Sequence, residues 1–310
     1  MLTDQAGQAP ATRKHGPQTL TPLASPAPLR QHSRVYLQGY PMSDLPLFIF
    51  RSLQRQRLAQ VPVLSTLLIA VEHGEKQLIT RSGSWHCPAG SWLVIPGGQT
   101  VEIVNQPDNG AGYRAWTLLQ PQHWLQRLLA QYGPQLPTLP WPTSGPVFQP
   151  ADDARQALLR LQALLPAAQA GTLGAAQAEH AWQGLMLALA AARQGAELFR
   201  QPRQDVRAKV QSLLAFDPAR DWQAGDIASG LAMSSATLRR RLAAEATSFS
   251  TLLNEVRMER ALGMVNAGEQ PLTQVAAACG YQSPSRFAAA FRQRFGVSPS
   301  QLRQQRDGHA

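Results

Sequence analysis

The sequence predicts a multidomain chain: an amino-terminal antiparallel β-barrel with trailing helices, then a carboxyl-terminal all-α domain carrying two helix-turn-helix units. Three observations predict it. At 310 residues the chain is longer than a single core usually serves. Short β-prone runs between Val35 and Leu119, broken by Gly, Pro and Asn turns, give way after Pro121 to helical spacing. Beyond Asp205, a helical stretch nearly repeats itself 48 residues later.

Residues 1–33 are rich in Pro, Gln, Ala and Thr and show no sustained apolar period, so they are expected to form a flexible arm. Residues 34–120 are assigned to this domain, a small antiparallel barrel or sandwich, on the runs Leu47 to Phe50, Leu64 to Val71, Trp92 to Ile95 and Val101 to Val104. Residues 121–200 are read as helical over His123 to Tyr132, Asp152 to Leu165 and Ala176 to Phe199. In the last stretch Trp182, Leu185, Met186 and Leu189 share one face. That stripe suits either intramolecular core or a dimer seam. Pro202 marks a boundary, because proline cannot continue a helix interior, and residues 205–306 form the last domain.

Composition narrows the function classes. No apolar run approaches the roughly 18 residues of a membrane span, and the amino terminus lacks a secretory pattern, so a cytoplasmic protein without a membrane partner is expected. The net charge of +10 favours an anionic partner. Residues 201–306 hold 14 Lys/Arg against 8 Asp/Glu, while the much longer 1–200 holds 15 against 10, so the basic excess is denser at the carboxyl end. Cys87 and Cys279 have no second cysteine at metal-binding or redox spacing and read as structural thiols.

The repeat aligns Asp226-Ile227-Ala228-Ser229-Gly230-Leu231-Ala232-Met233 with Gln274-Val275-Ala276-Ala277-Ala278-Cys279-Gly280-Tyr281. Each copy reads as a helix, a tight turn at Ala232 or Gly280, and a Ser-containing cap that opens a second helix. The pairs Leu238/Leu242 and Phe287/Phe291 face inward at i, i+4 and leave the opposite side for double-stranded DNA. Candidate base-contacting residues are Ser235, Ala236, Arg239 and Arg240 in the first unit, and Gln282, Ser283, Ser285, Arg286 and Ala289 in the second. Arginine bonds a guanine edge in two places, and alanine can meet a thymine methyl. Arg241, Arg292 and Arg294 suit phosphates, which position without specifying. A long amphipathic helix, Phe249 to Val265, joins the units. If both recognition helices enter successive major grooves, they sit about one DNA turn, roughly 34 Å, apart.

The run Gly280-Tyr281-Gln282-Ser283-Pro284-Ser285-Arg286-Phe287, with Phe291-Arg292-Gln293-Arg294-Phe295-Gly296-Val297-Ser298-Pro299 and Arg303, resembles the signature of the AraC/XylS family of transcription regulators. So do Met233-Ser234, Leu238-Arg239-Arg240-Arg241-Leu242 and Asn254-Glu255-Val256-Arg257. The chain departs from that pattern at Ala288-Ala289-Ala290, where many members carry Arg or Lys, which assigns more of the base discrimination to the first unit. The run Trp85 to Gly98 resembles the second half of a cupin-like sensor barrel.

These resemblances imply a regulator that is not an enzyme, an effector in the amino-terminal domain, RNA polymerase as a partner if it activates, and a homodimer. Phe48, Trp85, Trp92 and Trp116 are candidates to line an effector pocket, each weighed against simply filling the core. Gln99 stands where metal-binding cupins tend to have His, and His73 and His86 have no evident partners, so no metal and no other cofactor is expected.

Overall fold

The computed structural model describes residues 47–141, 145–164, 172–201, 205–268 and 270–308; the arm read at 1–33 lies outside them. Nine strands occur among the described residues: β1 (Leu47–Ser52), β2 (Gln56–Val63), β3 (Leu67–His73), β4 (Glu75–Thr80), β5 (Gly83–Pro88), β6 (Trp92–Ile95), β7 (Gln99–Gln106), β8 (Tyr113–Leu119) and β9 (Val147–Phe148). They form two antiparallel sheets, ordered β1-β8-β3-β6-β9 and β2-β7-β4-β5, so of the barrel and the sandwich that the strand pattern allowed the chain adopts the sandwich. The cause is connectivity. From β1 to β8, every connection except the β4–β5 hairpin carries the chain to the opposite sheet, so most strands cannot pair with their sequence neighbours. Gly74, at φ +73°, makes one such crossing, where a Cβ would lie 2.4 Å from the Gln106 carbonyl oxygen.

The two sheets bury their facing sides against each other. Ile69, Val71, Leu93, Ile95 and Ala115 of the five-stranded sheet meet Leu58, Val63, Leu78, Val101 and Ile103 of the other in one apolar cluster. The opposite face of the five-stranded sheet, with Leu68, Trp92, Val94, Trp116 and Leu118, is covered by helices α1 (Gln122–Tyr132), α2 (Asp152–Ala163) and α3 (Thr172–Ala191). Burial on both faces explains why β6 is apolar at every position. Trp182, Leu185, Met186 and Leu189 are fully buried here, so the stripe on α3 belongs to the intramolecular core. The helix expected to run to Phe199 stops at Ala191, because Arg193 (φ 52°) and Gly195 (φ 66°) leave the right-handed region.

The carboxyl-terminal helices are α4 (Val206–Phe216), α5 (Ala224–Gly230), α6 (Ser235–Ala244), α7 (Phe249–Ala267), α8 (Leu272–Ala278), α9 (Pro284–Phe295) and α10 (Pro299–Asp307). Two apolar clusters divide them. Val210, Leu214, Ile227, Leu238, Leu242, Leu252 and Val256 form the core of α4 to α6 with the first half of α7. Met258, Leu262, Val275, Phe287, Phe291, Phe295 and Leu302 belong to the cluster that fills the space between the sheets. The sandwich and the second helix-turn-helix unit therefore share one core.

Polar contacts reinforce that junction. A bulge in β2 between Leu58 and Val61 holds Gln60 at φ 47°, and the carbonyl oxygen of Gln60 accepts a 2.7 Å bond from Arg294 Nε. The Gln305 carbonyl oxygen accepts from the backbone N–H groups of Leu53 (2.9 Å) and Gln54 (3.1 Å) and from Ser52 Oγ (3.1 Å). Glu259 Oε1 accepts from the Leu64 N–H at 3.2 Å, and burial pushes this carboxyl up to about 7.

Candidate nucleic-acid interface

Each unit turns at a residue in the left-handed region. Ala232 has φ 52° and Gly280 has φ 76°, and the next residue reaches back into the preceding helix: Met233 N–H to Ala228 O and Tyr281 N–H to Ala276 O, both at 2.9 Å. A serine then caps the second helix. Ser234 Oγ accepts from the Thr237 N–H at 3.1 Å and Ser283 Oγ from the Arg286 N–H at 3.4 Å. The matching turns and caps are the structural counterpart of the sequence repeat.

In α6, Leu238 and Leu242 are buried, while Ser235, Ala236, Arg239, Arg240 and Arg241 are exposed. Among the described residues, no carboxylate is paired with these three arginines. In the second unit, Phe287, Phe291 and Phe295 are buried and stack in sequence, with ring centroids 5.8 Å and 4.6 Å apart. Gln282, Ser285, Arg286, Ala289 and Arg292 are exposed, and Ser283 is half-buried as the cap. The structure thus brings the proposed readers of each unit onto one solvent-facing side. Arg294 it does not: this side chain faces the sandwich, bonded to Gln60 O and 4.0 Å from Glu255.

Arg257, Asn254 and Tyr281, legible in the sequence only as part of a signature, join the units. Arg257 of α7 donates through Nε to Pro218 O (2.9 Å) and through Nη2 to Arg220 O (3.1 Å), directly beneath the Gly280 turn. Tyr281 Oη donates to Asn254 Oδ1 at 3.2 Å, and Arg306 Nη1 donates to the carbonyls of Asn266 (3.1 Å) and Ala267 (2.6 Å) at the end of α7. A Cβ at Gly280 would lie 2.6 Å from Arg257 Nη2, in a backbone region that side chains disfavour. Gly280→Ala is therefore expected to cost about 1–2 kcal/mol and to loosen Arg257, read as a lower urea midpoint with a stable α5–α6 unit.

The four aromatics considered for an effector pocket do not converge. Trp92 and Trp116 lie on the helix-covered face of the first sheet, where Trp116 Nε1 donates to Glu72 at 2.7 Å and Trp92 meets Phe148 edge-on at 6.3 Å. Trp85 packs against the core between the sheets, and Phe48 is half-buried on β1. What the aromatic search missed is Lys76. It shares a face of β4 with Leu78, two residues on, and is likewise buried, a lysine in a row of inward-facing positions. No group of three or more potential metal ligands occurs among the described residues.

A family model for a helix-turn-helix domain matches residues 227–305. Among curated proteins, the transcriptional regulator SirC of Salmonella typhimurium is 38% identical over 91 residues, covering 29% of this chain and 31% of SirC. The HTH-type transcriptional regulator GadX of Escherichia coli is 36% identical over 100 residues, covering 32% of this chain and 36% of GadX. The chain thus spans about a third of the length of these relatives. Over 86% of the chain, the fold is similar to that of ToxT from Vibrio cholerae with a bound unsaturated fatty acid, at TM-score 0.58 and 15% identity, covering 96% of that structure.

Proposed function

We propose that this chain, whose residues 227–305 match a helix-turn-helix family model, is a member of the AraC family, and that the whole protein is a sequence-specific DNA-binding transcription regulator that answers to a small molecule held in its amino-terminal part. The observation that carries the reading is the pair of capped helices, α6 and α9, whose apolar sides are buried while Arg239, Arg240 and Arg286 point to solvent. Bidentate arginine readout needs that combination of a fixed helix and an unpaired guanidinium. The effector side of the reading is supported by the fold shared with ToxT, which binds a fatty acid.

In this reading Ser235, Ala236, Arg239 and Arg240 meet one major groove and Gln282, Ser285, Arg286 and Ala289 the next, with Arg241 and Arg292 on phosphates. The division into a sensor part before residue 200 and a DNA-binding part from 205 follows. RNA polymerase is a partner if the protein activates, the protein works in the cytoplasm, and it performs no catalysis. A homodimer would use the outer faces of α2 and α3, where Leu159 and Leu173 are exposed, since the Trp182 side is occupied.

Genome-wide capture of DNA by the full chain tests the proposal. Recovery of a motif with two short half-elements about one turn apart is expected; binding without a motif and with only salt sensitivity would overturn it. At the recovered site, Arg240→Ala is expected to cost about 1–3 kcal/mol and relax base preference at one position. Arg292→Ala is expected to weaken all sequences alike and lower the salt slope by about 1. Competition titrations at two salt concentrations read both.

A further inference from the structure

Resting on the reading that the amino-terminal part holds an effector, we propose that the sandwich interior binds a carboxylate through Lys76 Nζ, Gln56 Nε2 and Tyr113 Oη. The polarity of the site follows from one chain of bonds. With Lys76 as an ammonium, which only donates, Asn105 Oδ1 accepts from Lys76 Nζ (2.5 Å). Asn105 must then present its amide nitrogen to Gln56 Oε1 (3.2 Å), which leaves Gln56 Nε2 as a donor. That nitrogen is buried with no partner, and so is the Tyr113 hydroxyl. Lys76 Nζ lies 5.1 Å from the centre of the Tyr113 ring and 5.7 Å from that of Phe50.

The groups therefore combine a cation with donors that lack acceptors, in surroundings otherwise built from Phe50, Leu58, Leu78 and Ile103. Buried donors left unbonded cost free energy, and an anionic acceptor with an apolar body answers all three at once. No carboxylate of the chain is paired with Lys76 among the described residues. Its strand neighbour Glu75 is turned outward to His86. Cys87, opposite Lys76 across the β4–β5 ladder, is a thiol that burial pushes up to about 12, so it supplies no competing anion. Burial lowers Lys76 itself to about 7, and an anion beside it would restore its charge, so binding would take up a proton near neutral pH.

Position connects the site to the DNA-binding part. Gln56 opens β2, Tyr113 opens β8 and faces Ser52 in the ladder, and Asn105 lies near the end of β7, so the site sits at one end of the sandwich beneath the turn at 53–55. This is the turn whose N–H groups bond the Gln305 carbonyl of α10.

The test uses the full chain and two probes of equal length, hexanoate and hexanol, by calorimetry. Hexanoate is expected to bind at least about ten-fold more tightly than hexanol. Lys76→Met is expected to weaken hexanoate about ten- to a hundred-fold, and Tyr113→Phe, which keeps the ring, by a smaller factor. Undetectable binding of hexanoate, equal binding of hexanol, or unchanged hexanoate affinity in both variants would overturn the proposal. DNA affinity of all three proteins is measured in parallel. Hexanoate binding that leaves DNA affinity unmoved would support the site and count against the effector reading alone.

Discussion

Phe291→Ala is expected to destabilise the protein by about 3–5 kcal/mol, and the loss should register in the sandwich as well as in the helix that carries the residue. Phe291 is fully buried, between Phe287 and Phe295, in the cluster that also holds Leu58, Val63 and Ile103. Tryptophan fluorescence reads this directly, since six of the seven tryptophans precede residue 200 and only Trp222 lies in the helical domain. Urea melts should show a lower midpoint for the fluorescence of Phe291→Ala. Leu238→Ala makes the contrast: the buried residues of its cluster lie on α4, α5, α6 and the first half of α7, with half-buried Leu64 of the sandwich packed against them, so a cost of about 2–5 kcal/mol should move the sandwich midpoint much less. Equal effects of the two variants on tryptophan fluorescence would show that the clusters do not divide the molecule.

The second large effect is a pH dependence that belongs to one side chain. Lys76 is lowered from 10.5 to about 7 by burial, so between these values the unfolded chain binds more protons than the folded one and stability rises with pH. Glu259, raised to about 7, acts with opposite sign and below that pH, where the folded state binds the extra proton. The cysteine thiols, raised from 9.0 to about 12, oppose the trend from about pH 8 upward. From pH 7.5 to 9 Lys76 alone should therefore add about 2 kcal/mol of unfolding free energy, which the two thiols cut to a net gain of about 1 kcal/mol in the wild-type protein, and Lys76→Met should lose that gain. Denaturant melts at four pH values suffice, and a slope retained in the variant would assign the protons elsewhere.

Much of this architecture was legible in the sequence. Short β-prone runs between turn residues marked β1, β3, β6 and β7, and the near-repeat at 226–233 and 274–281 located both helix-turn-helix units with their turns. The inward pairs Leu238/Leu242 and Phe287/Phe291 are buried as their spacing required. Short β-prone runs mark strands but not their partners, and this is why barrel and sandwich both stayed open until the pairing was known. Arg294 illustrates a deeper limit. Its phosphate assignment followed from helical position alone, whereas its placement depends on a bulge at Gln60, 234 residues earlier, whose carbonyl it bonds. Lys76 carried a usable signal, a charged residue in phase with Leu78, but reading it required knowing that this side of β4 faces the other sheet. The aromatics misdirected because Trp92 and Trp116 are in phase with the helix-covered side, which no local pattern distinguishes from the interior.

The core shared by the sandwich and the second helix-turn-helix unit places the two under a common thermodynamic constraint. Coupling between sites is reciprocal: if occupancy of the sandwich changes the affinity of α9 for its half-site by some factor, DNA at that half-site changes the affinity of the sandwich by the same factor. The first unit, with a core of its own, is joined to this exchange through α7 and the polar contacts around Glu255 and Glu259. An operator lacking its second half-element would then still hold the protein through α6 but would no longer tune what the sandwich holds.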